Sequence, residues 1–240
     1  MAESYFCVPP KLAQIEIGTC YQPAIRPDLV GGDFFDFIQF TPHRLGVVIG
    51  DACGKGLAAA ALTGVCRYVL RAYALEDSTP ARVVQRVNRA LCNYVSEKCA
   101  FLTLIYGVLD LRSFQFTYAS AGHPPPLLCN PLSGGSVELD GTGGLLGWDP
   151  SWAWCERQVL IPPGGAIALF TDGVTEAHNG KKMLGTAPVQ AALHNCLEQG
   201  APDIAANILQ QAVSFAGGNL TDDVAIVVLR RPPSARSPKS

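Results

Sequence analysis

The residues of this chain best suited to joint chemistry are aspartates. Asp33 and Asp36 close the segment Val30-Gly31-Gly32-Asp33-Phe34-Phe35-Asp36, and Asp51 opens Asp51-Ala52-Cys53-Gly54-Lys55-Gly56. Far downstream come Asp172, in Phe170-Thr171-Asp172-Gly173, and the pair Asp222-Asp223. Val47-Val48-Ile49 runs toward Asp51, Ala166 to Phe170 runs toward Asp172, and Asp223 opens Val224 to Leu229. The carboxylates therefore stand at the ends of apolar, strand-like runs, which are rigid places from which to aim at one point. Converging carboxylates repel: at ~4 Å and an effective dielectric near ~20, each close pair costs about 4 kcal/mol. Hard divalent cations, which take oxygen ligands, remove that cost. An aspartate also caps turns, which explains any one of these residues and explains the set poorly.

The elements that must position them follow from periodicity. Leu12 to Gln22 and Arg44 to Gly50 read as strands around the Gly-Gly-Asp segment. Gly56 to Leu75 reads as a helix through Leu57, Leu62, Val65, Val69 and Tyr73. Ser78-Thr79-Pro80 starts a second helix, to about Val95, with Val83 or Val84, Val87, Leu91 and Tyr94 as its stripe. Strand-like runs follow at Ala100 to Leu109, Ser113 to Ser120, Pro126 to Cys129, Ser136 to Leu139, Ala153 to Ile161 and Ala166 to Phe170. Phe114, Phe116 and Tyr118 alternate with Gln115 and Thr117, the pattern of a half-buried strand. Helices are expected at Pro188 to Leu197 and Pro202 to Phe215, the latter closed by Gly217-Gly218, then a strand from Asp223 to Leu229. Strands cluster and helices come in pairs without regular alternation, so the class is α+β with largely antiparallel sheets.

Composition narrows the function. Hydrophobic residues make up 48% and charged residues 16% of the 240, enough apolar material for a core and too little charge for a disordered chain. A net charge of −2 gives no electrostatic footprint for nucleic acid or an anionic membrane. No apolar run reaches the ~20 residues that span a bilayer, and Met1-Ala2-Glu3-Ser4 opens no signal peptide. The nine cysteines, an odd count without a Cys-x-x-Cys pair, fit a reduced cytoplasm better than a disulfide scaffold. One domain over residues 1–231 is expected, with Pro232 to Ser240 as a disordered tail.

In order, these motifs resemble the PPM-type metal-dependent serine/threonine phosphatases, in their bacterial SpoIIE/RsbU branch. The matching pieces are Gly31-Gly32-Asp33 with Asp36, then Asp51 to Gly56, Phe101-Leu102-Thr103-Leu104 and Ala121-Gly122-His123-Pro124-Pro125. Pro163-Gly164, Thr171-Asp172-Gly173-Val174-Thr175-Glu176 and Asp222-Asp223 complete the set, over roughly residues 12 to 230. The resemblance implies an α/β/β/α sandwich, two packed sheets with a helix pair on each outer face. It also implies two Mn²⁺ or Mg²⁺ ions, with room for a third. Asp51 would bridge both ions, the Ala52 carbonyl would serve one, Asp172 and Asp222 would hold the other, and Asp33 would bind directly or through a coordinated water. Asp223 stands where many relatives carry asparagine, so which of Asp222 and Asp223 is the ligand stays open. Asp36, at an odd offset from Asp33, fits a supporting role better than ligation.

The implied activity is hydrolysis of phosphoserine or phosphothreonine on a regulatory protein, with a STAS-type anti-sigma-factor antagonist as the branch's usual substrate. An upstream sensor module or a homodimer would be the partner. Two departures from the family pattern stand out. Cys53 occupies a position usually filled by serine in this branch and by histidine in animal relatives, and Ala225 replaces a common threonine. Gly54-Lys55-Gly56 lacks the full phosphate-loop pattern and reads as a tight turn with a solvated Lys55. His123 reads as a structural tie, although an imidazole titrates in the range useful for catalysis. His43, His178 and His194 share no ligand spacing. Two other classes compete: an inactive pseudophosphatase that only binds, and a nucleotide cyclase. The latter rests on the similarity of Gly31-Gly32-Asp33-Phe34-Phe35 to Gly-Gly-Asp-Glu-Phe, whose glutamate is missing here.

Overall fold

The computed structural model describes residues 8–24, 31–54, 56–94 and 101–233. Val30, Lys55, Val95 and the expected tail from residue 234 onward lie outside the described residues. In chain order the elements are β1 (Glu16–Gln22), β2 (Phe34–Thr41), β3 (Arg44–Ala52), α1 (Leu57–Glu76), α2 (Pro80–Tyr94), β4 (Leu102–Asp110), β5 (Gln115–Ala121) and β6 (Leu127–Asn130). Then come β7 (Gly135–Glu138), β8 (Arg157–Leu160), β9 (Ala166–Phe170), α3 (Asp172–Thr175), β10 (His178–Asn179), β11 (Lys182–Met183), α4 (Ala187–Asn195), α5 (Ala201–Phe215) and β12 (Val224–Arg230).

Two five-stranded sheets form, ordered β1-β12-β9-β6-β7 and β2-β3-β4-β5-β8, with antiparallel pairing throughout both. Successive side chains of a strand point to opposite faces, and that alternation builds three apolar layers. Phe35, Phe37, Val47 and Ile49 meet Ile167, Leu169, Ala225 and Val227 between the sheets. Phe34, Ile38, Val48 and Tyr106 face the other way, against Leu62, Cys66 and Leu70 of α1 and Val84, Val87 and Leu91 of α2. Ala168, Phe170, Ile226 and Val228 face Val189 and Leu193 of α4 and Ile204 and Ile208 of α5. Each fully buried side chain of this size contributes about 1.5–3 kcal/mol. The result is the α/β/β/α sandwich that the resemblance implied.

Some sequence-based boundaries need correction. The expected strands left out Phe34–Thr41, which forms β2 and pairs with β3 from Phe34↔Gly50 to Thr41↔Arg44. Its first five residues are all buried, Asp36 included, so it lacks the half-buried alternation that marks a strand. The first strand begins at Glu16 rather than Leu12, because a Leu12↔Ile15 bridge closes a turn over Ala13 and Gln14. The run from Ala153 contracts to Arg157–Leu160, since the Cys155 N–H is drawn to the Thr142 carbonyl instead of a strand partner.

Candidate metal centre

Strand parity brings the aspartates together. In β3, Val47 and Ile49 face the opposite sheet, so the next residue of that parity, Asp51, faces the same seam. One step before Phe35 and Phe37 the same parity gives Asp33; one step before Ala225 and Val227 it gives Asp223. One step beyond Ile167 and Leu169 it gives Thr171. The ends of β2, β3, β9 and β12 thus converge at one end of the seam, two from each sheet. Thr171 continues the β9–β12 pairing: its N–H donates to the Ala225 carbonyl at 3.1 Å, and the Ala225 N–H donates to its Oγ1 at 2.9 Å. Its hydroxyl then donates across the seam to Asp33 Oδ2 at 2.6 Å, tying the two sheets at the site.

The glycines before Asp33 are there because nothing larger fits. A Cβ on Gly31 would fall 1.5 Å from Asp223 Oδ2, and one on Gly32 would fall 2.4 Å from the Ala52 carbonyl oxygen and 2.6 Å from Asp51 Oδ1. The Ala52 N–H donates to the Gly32 carbonyl at 3.2 Å, and Thr63 Oγ1 of α1 donates to the same oxygen at 3.0 Å. The Asp223 carboxylate accepts from the Ala24 N–H at 2.8 Å, and the Asp223 N–H donates to Asp222 Oδ1 at 3.0 Å.

The electrostatics are those of crowded carboxylates. Burial, reinforced by the charges of Asp172, Asp222 and Asp223, pushes the Asp51 carboxyl up to about 7. Burial and the charges of Asp51 and Asp223 raise Asp33 well above the ordinary carboxylate range, against the Thr171 hydrogen bond. A hydrogen bond between the two raises Asp33 further and draws Asp51 down. Burial, then Glu176 and Asp222, raise Asp172, the first residue of α3. Among the described residues, no three His, Cys, Asp or Glu side chains are already drawn around one point as a bound ion would hold them. The donor set of Asp33, Asp51, Asp172, Asp222, Asp223 and the Ala52 carbonyl is all oxygen, and it fits a hard divalent cation.

Every aspartate singled out in the sequence reaches this corner except Asp36. That residue points to the helix side, where Arg71 Nη1 and Arg67 Nη2 lie 3.4 Å and 3.8 Å from Oδ2, and its Oδ1 accepts from the Phe37 N–H. It fastens α1 onto β2. Asp223 is buried and faces the seam, while Asp222 is exposed beside it. His123 is buried, with Nδ1 2.8 Å from Thr103 Oγ1, and Thr103 pairs with Asp51 across β3 and β4. Burial depresses its imidazole to about 3, so it stays neutral and braces the strand beside Asp51. Cys53 is exposed, its N–H donating to the Phe101 carbonyl at 2.9 Å. The sequence reading missed Tyr21 of β1, whose phenol burial and the Asp223, Asp33 and Asp51 charges hold protonated. It also missed the Thr171 bridge and the Thr63 contact, which only tertiary packing creates.

Comparison with known proteins gives the family and the fold. The family model of Stage II sporulation protein E (SpoIIE) matches residues 41–232. The phosphoserine phosphatase RsbU of Bacillus subtilis is 27% identical over 222 residues, 92% of this chain and 65% of its own length. A crystal structure of the RsbU and RsbW domains of a Mycobacterium tuberculosis protein superposes with a TM-score of 0.80 at 28% identity, over 94% of this chain and 62% of that one. The PP2C phosphatase domain of Bacillus subtilis SpoIIE, with part of its regulatory domain, gives 0.75 at 15% identity, covering 92% of this chain and 64% of that one, a likeness of fold. The chain thus spans just under two thirds of the length of these relatives.

Proposed function

Because this chain belongs to the Stage II sporulation protein E (SpoIIE) family, we propose that it is a divalent-metal-dependent phosphatase acting on phosphoserine or phosphothreonine of a regulatory protein. The observation that carries the reading is the cluster of carboxylates at the seam, with Asp33 and Asp51 held far above their ordinary proton affinity. The name of RsbU, a phosphoserine phosphatase, supports the substrate class. On this reading Asp51, the Ala52 carbonyl, Asp172 and Asp222 would hold two Mn²⁺ or Mg²⁺ ions, with Asp33 bound directly or through a coordinated water and Asp223 beside them. Such a pair supplies an activated water for in-line attack on phosphorus and neutralises the phosphoryl oxygens.

The chain's own part is positioning. Thr171 locks Asp33 across the seam, and the missing side chains of Gly31 and Gly32 leave room for the Asp223 and Asp51 carboxylates and the Ala52 carbonyl. His123 is neutral, buried and committed to Thr103, so it braces the site without transferring a proton. In the overall reaction water oxygen bonds to phosphorus, the bond to the serine oxygen breaks, and that oxygen takes up a proton. We place the enzyme in the cytoplasm, with a phosphorylated STAS-type anti-sigma-factor antagonist as substrate and an upstream sensor module or a second copy as regulator. Among the described residues no helix is long and apolar enough to cross a membrane.

Asp172→Asn tests the assignment. Mn²⁺ at about a hundred times its dissociation constant stabilises the folded state by about 2.7 kcal/mol, roughly 5–11 °C in Tm for a chain of this size. The wild type should show that shift and hydrolyse phenyl phosphate only with metal; Asp172→Asn should lose most of both. Full wild-type turnover in EDTA, or an unchanged shift in the variant, refutes the metal site.

A further inference from the structure

Of the three tryptophans in the chain, Trp152 and Trp154 pack over Gly144 and Gly143 at the helix-side core. Trp148 does not: it is 57% exposed, on the turn that follows Leu146. A single exposed aromatic is ordinary, but this one is held on a rigid mount. Asn88 of α2, fully buried, spends both ends of its amide on the residues flanking Trp148. Its Oδ1 accepts from the Gly147 N–H at 2.8 Å, and its Nδ2 donates to the Asp149 carbonyl at 2.8 Å. Leu146 and Leu102 exchange two backbone hydrogen bonds, at 2.9 and 3.0 Å, which fasten the turn to the start of β4. The indole meets the Phe101 ring edge-on, with centroids 5.9 Å apart and planes at 74°.

This ledge adjoins the metal centre. The Phe101 carbonyl accepts the Cys53 N–H, directly after Ala52, and Ala52 pairs with Leu102 while Leu102 pairs with Leu146. From Ala52 to Leu146 is two strand spacings, about 10 Å, the span of about three residues of extended chain. The centre itself is acidic and suited to a phosphate held through cations. The ledge is apolar, aromatic and preordered, features of a residue that anchors a polypeptide partner at low entropic cost.

We propose that Trp148, seated on Phe101, is a specificity residue that receives an apolar side chain about three residues from the phosphorylated serine or threonine of the substrate protein. The inference rests on the phosphatase reading above and adds a rule of sequence preference to it. Asn88 is a positioning residue that acts through Trp148.

Two phosphoserine peptides test it, identical except for leucine or aspartate at the third residue on both sides of the phosphoserine, with phenyl phosphate as a substrate that has no flanks. With Mn²⁺, the wild type should favour the leucine peptide by roughly tenfold in kcat/KM, mostly through KM. Trp148→Ala should reduce the preference to within about twofold, and Trp148→Phe should recover most of it, which a merely structural role would not produce. Absence of Mn²⁺-dependent phenyl phosphate hydrolysis by the wild type would overturn the phosphatase reading and this inference with it. With that hydrolysis intact, a wild type indifferent to the flanks, or a preference that survives Trp148→Ala, would overturn the inference alone.

Discussion

Stripped of metal, this protein should grow more stable as the pH falls from 8 to 6.5. Burial and neighbouring charge raise Asp51 from an ordinary 3.8 to about 7. The folded state therefore takes up a proton in a range where the unfolded chain does not, and stability falls as pH rises through that window. At pH 8 Asp51 is ionised in both states; at pH 6.5 it is mostly protonated in the folded state alone, a gain of about 1 kcal/mol. Asp33 is shifted in the same direction and adds to it. For a domain of this size 1 kcal/mol is roughly 2–4 °C in Tm. Below pH 6.5 His123 opposes the trend: its imidazole is depressed from 6.5 to about 3, so only the unfolded chain binds that proton. Each group contributes a slope of about 1.4 kcal/mol per pH unit, so the one imidazole offsets one of the two aspartates. Stability should then rise more gently until about pH 4 and fall below it. Saturating Mn²⁺ should reverse the first limb, because protons compete with cations for the same oxygens. The assay is scanning calorimetry in EDTA and in Mn²⁺ between pH 8 and 4. A metal-free Tm that drops from pH 8 to 6.5 would refute the reasoning. So would a rise of the same size in Asp33→Asn/Asp51→Asn.

Two further substitutions probe the geometry. Gly32→Ala places a methyl 2.4 Å from the backbone oxygen of Ala52 and 2.6 Å from Asp51 Oδ1; displacing these groups by ~1 Å should lower kcat by about a hundredfold, measured with phenyl phosphate and Mn²⁺ and set beside Tm. Cys53→Ser should keep kcat within about threefold, because the side chain is exposed and surface substitutions of this kind shift energies by under ~0.5 kcal/mol; a hundredfold loss in a folded variant would give the thiol a chemical role.

How much of this was legible in the sequence depended on packing on each face. Helices α1, α2 and α5 show in the periodicity because one face of each is wet. Strand β2 does not: Phe34, Phe35, Phe37 and Ile38 are buried on both sides between the other sheet and the helices, so the period-two signal vanishes. The same loss of alternation in β12, buried along its whole length, hides which of Asp222 and Asp223 faces the seam. The Gly-Gly-Asp and Thr-Asp-Gly motifs were visible because a close approach excludes every other residue at Gly31, Gly32 and Gly173, where an added Cβ would meet Asp223, Ala52 and Asp51. Tyr21 and the Thr171 bridge carry no such local mark. They acquire their roles only when two strands distant in sequence are laid side by side.

One consequence concerns the order of synthesis. Strand β12, with Asp222 and Asp223 at its head, is inserted between β1 and β9, so Glu16 pairs with Arg230 and the Ala24 N–H reaches Asp223. A chain still threaded through the ribosome with β12 inside the exit tunnel can assemble the sheet that carries Asp33 and Asp51, but the other sheet lacks the strand that joins its two halves. The aspartates of the two sheets therefore come together only once β12 has emerged and closed its own sheet.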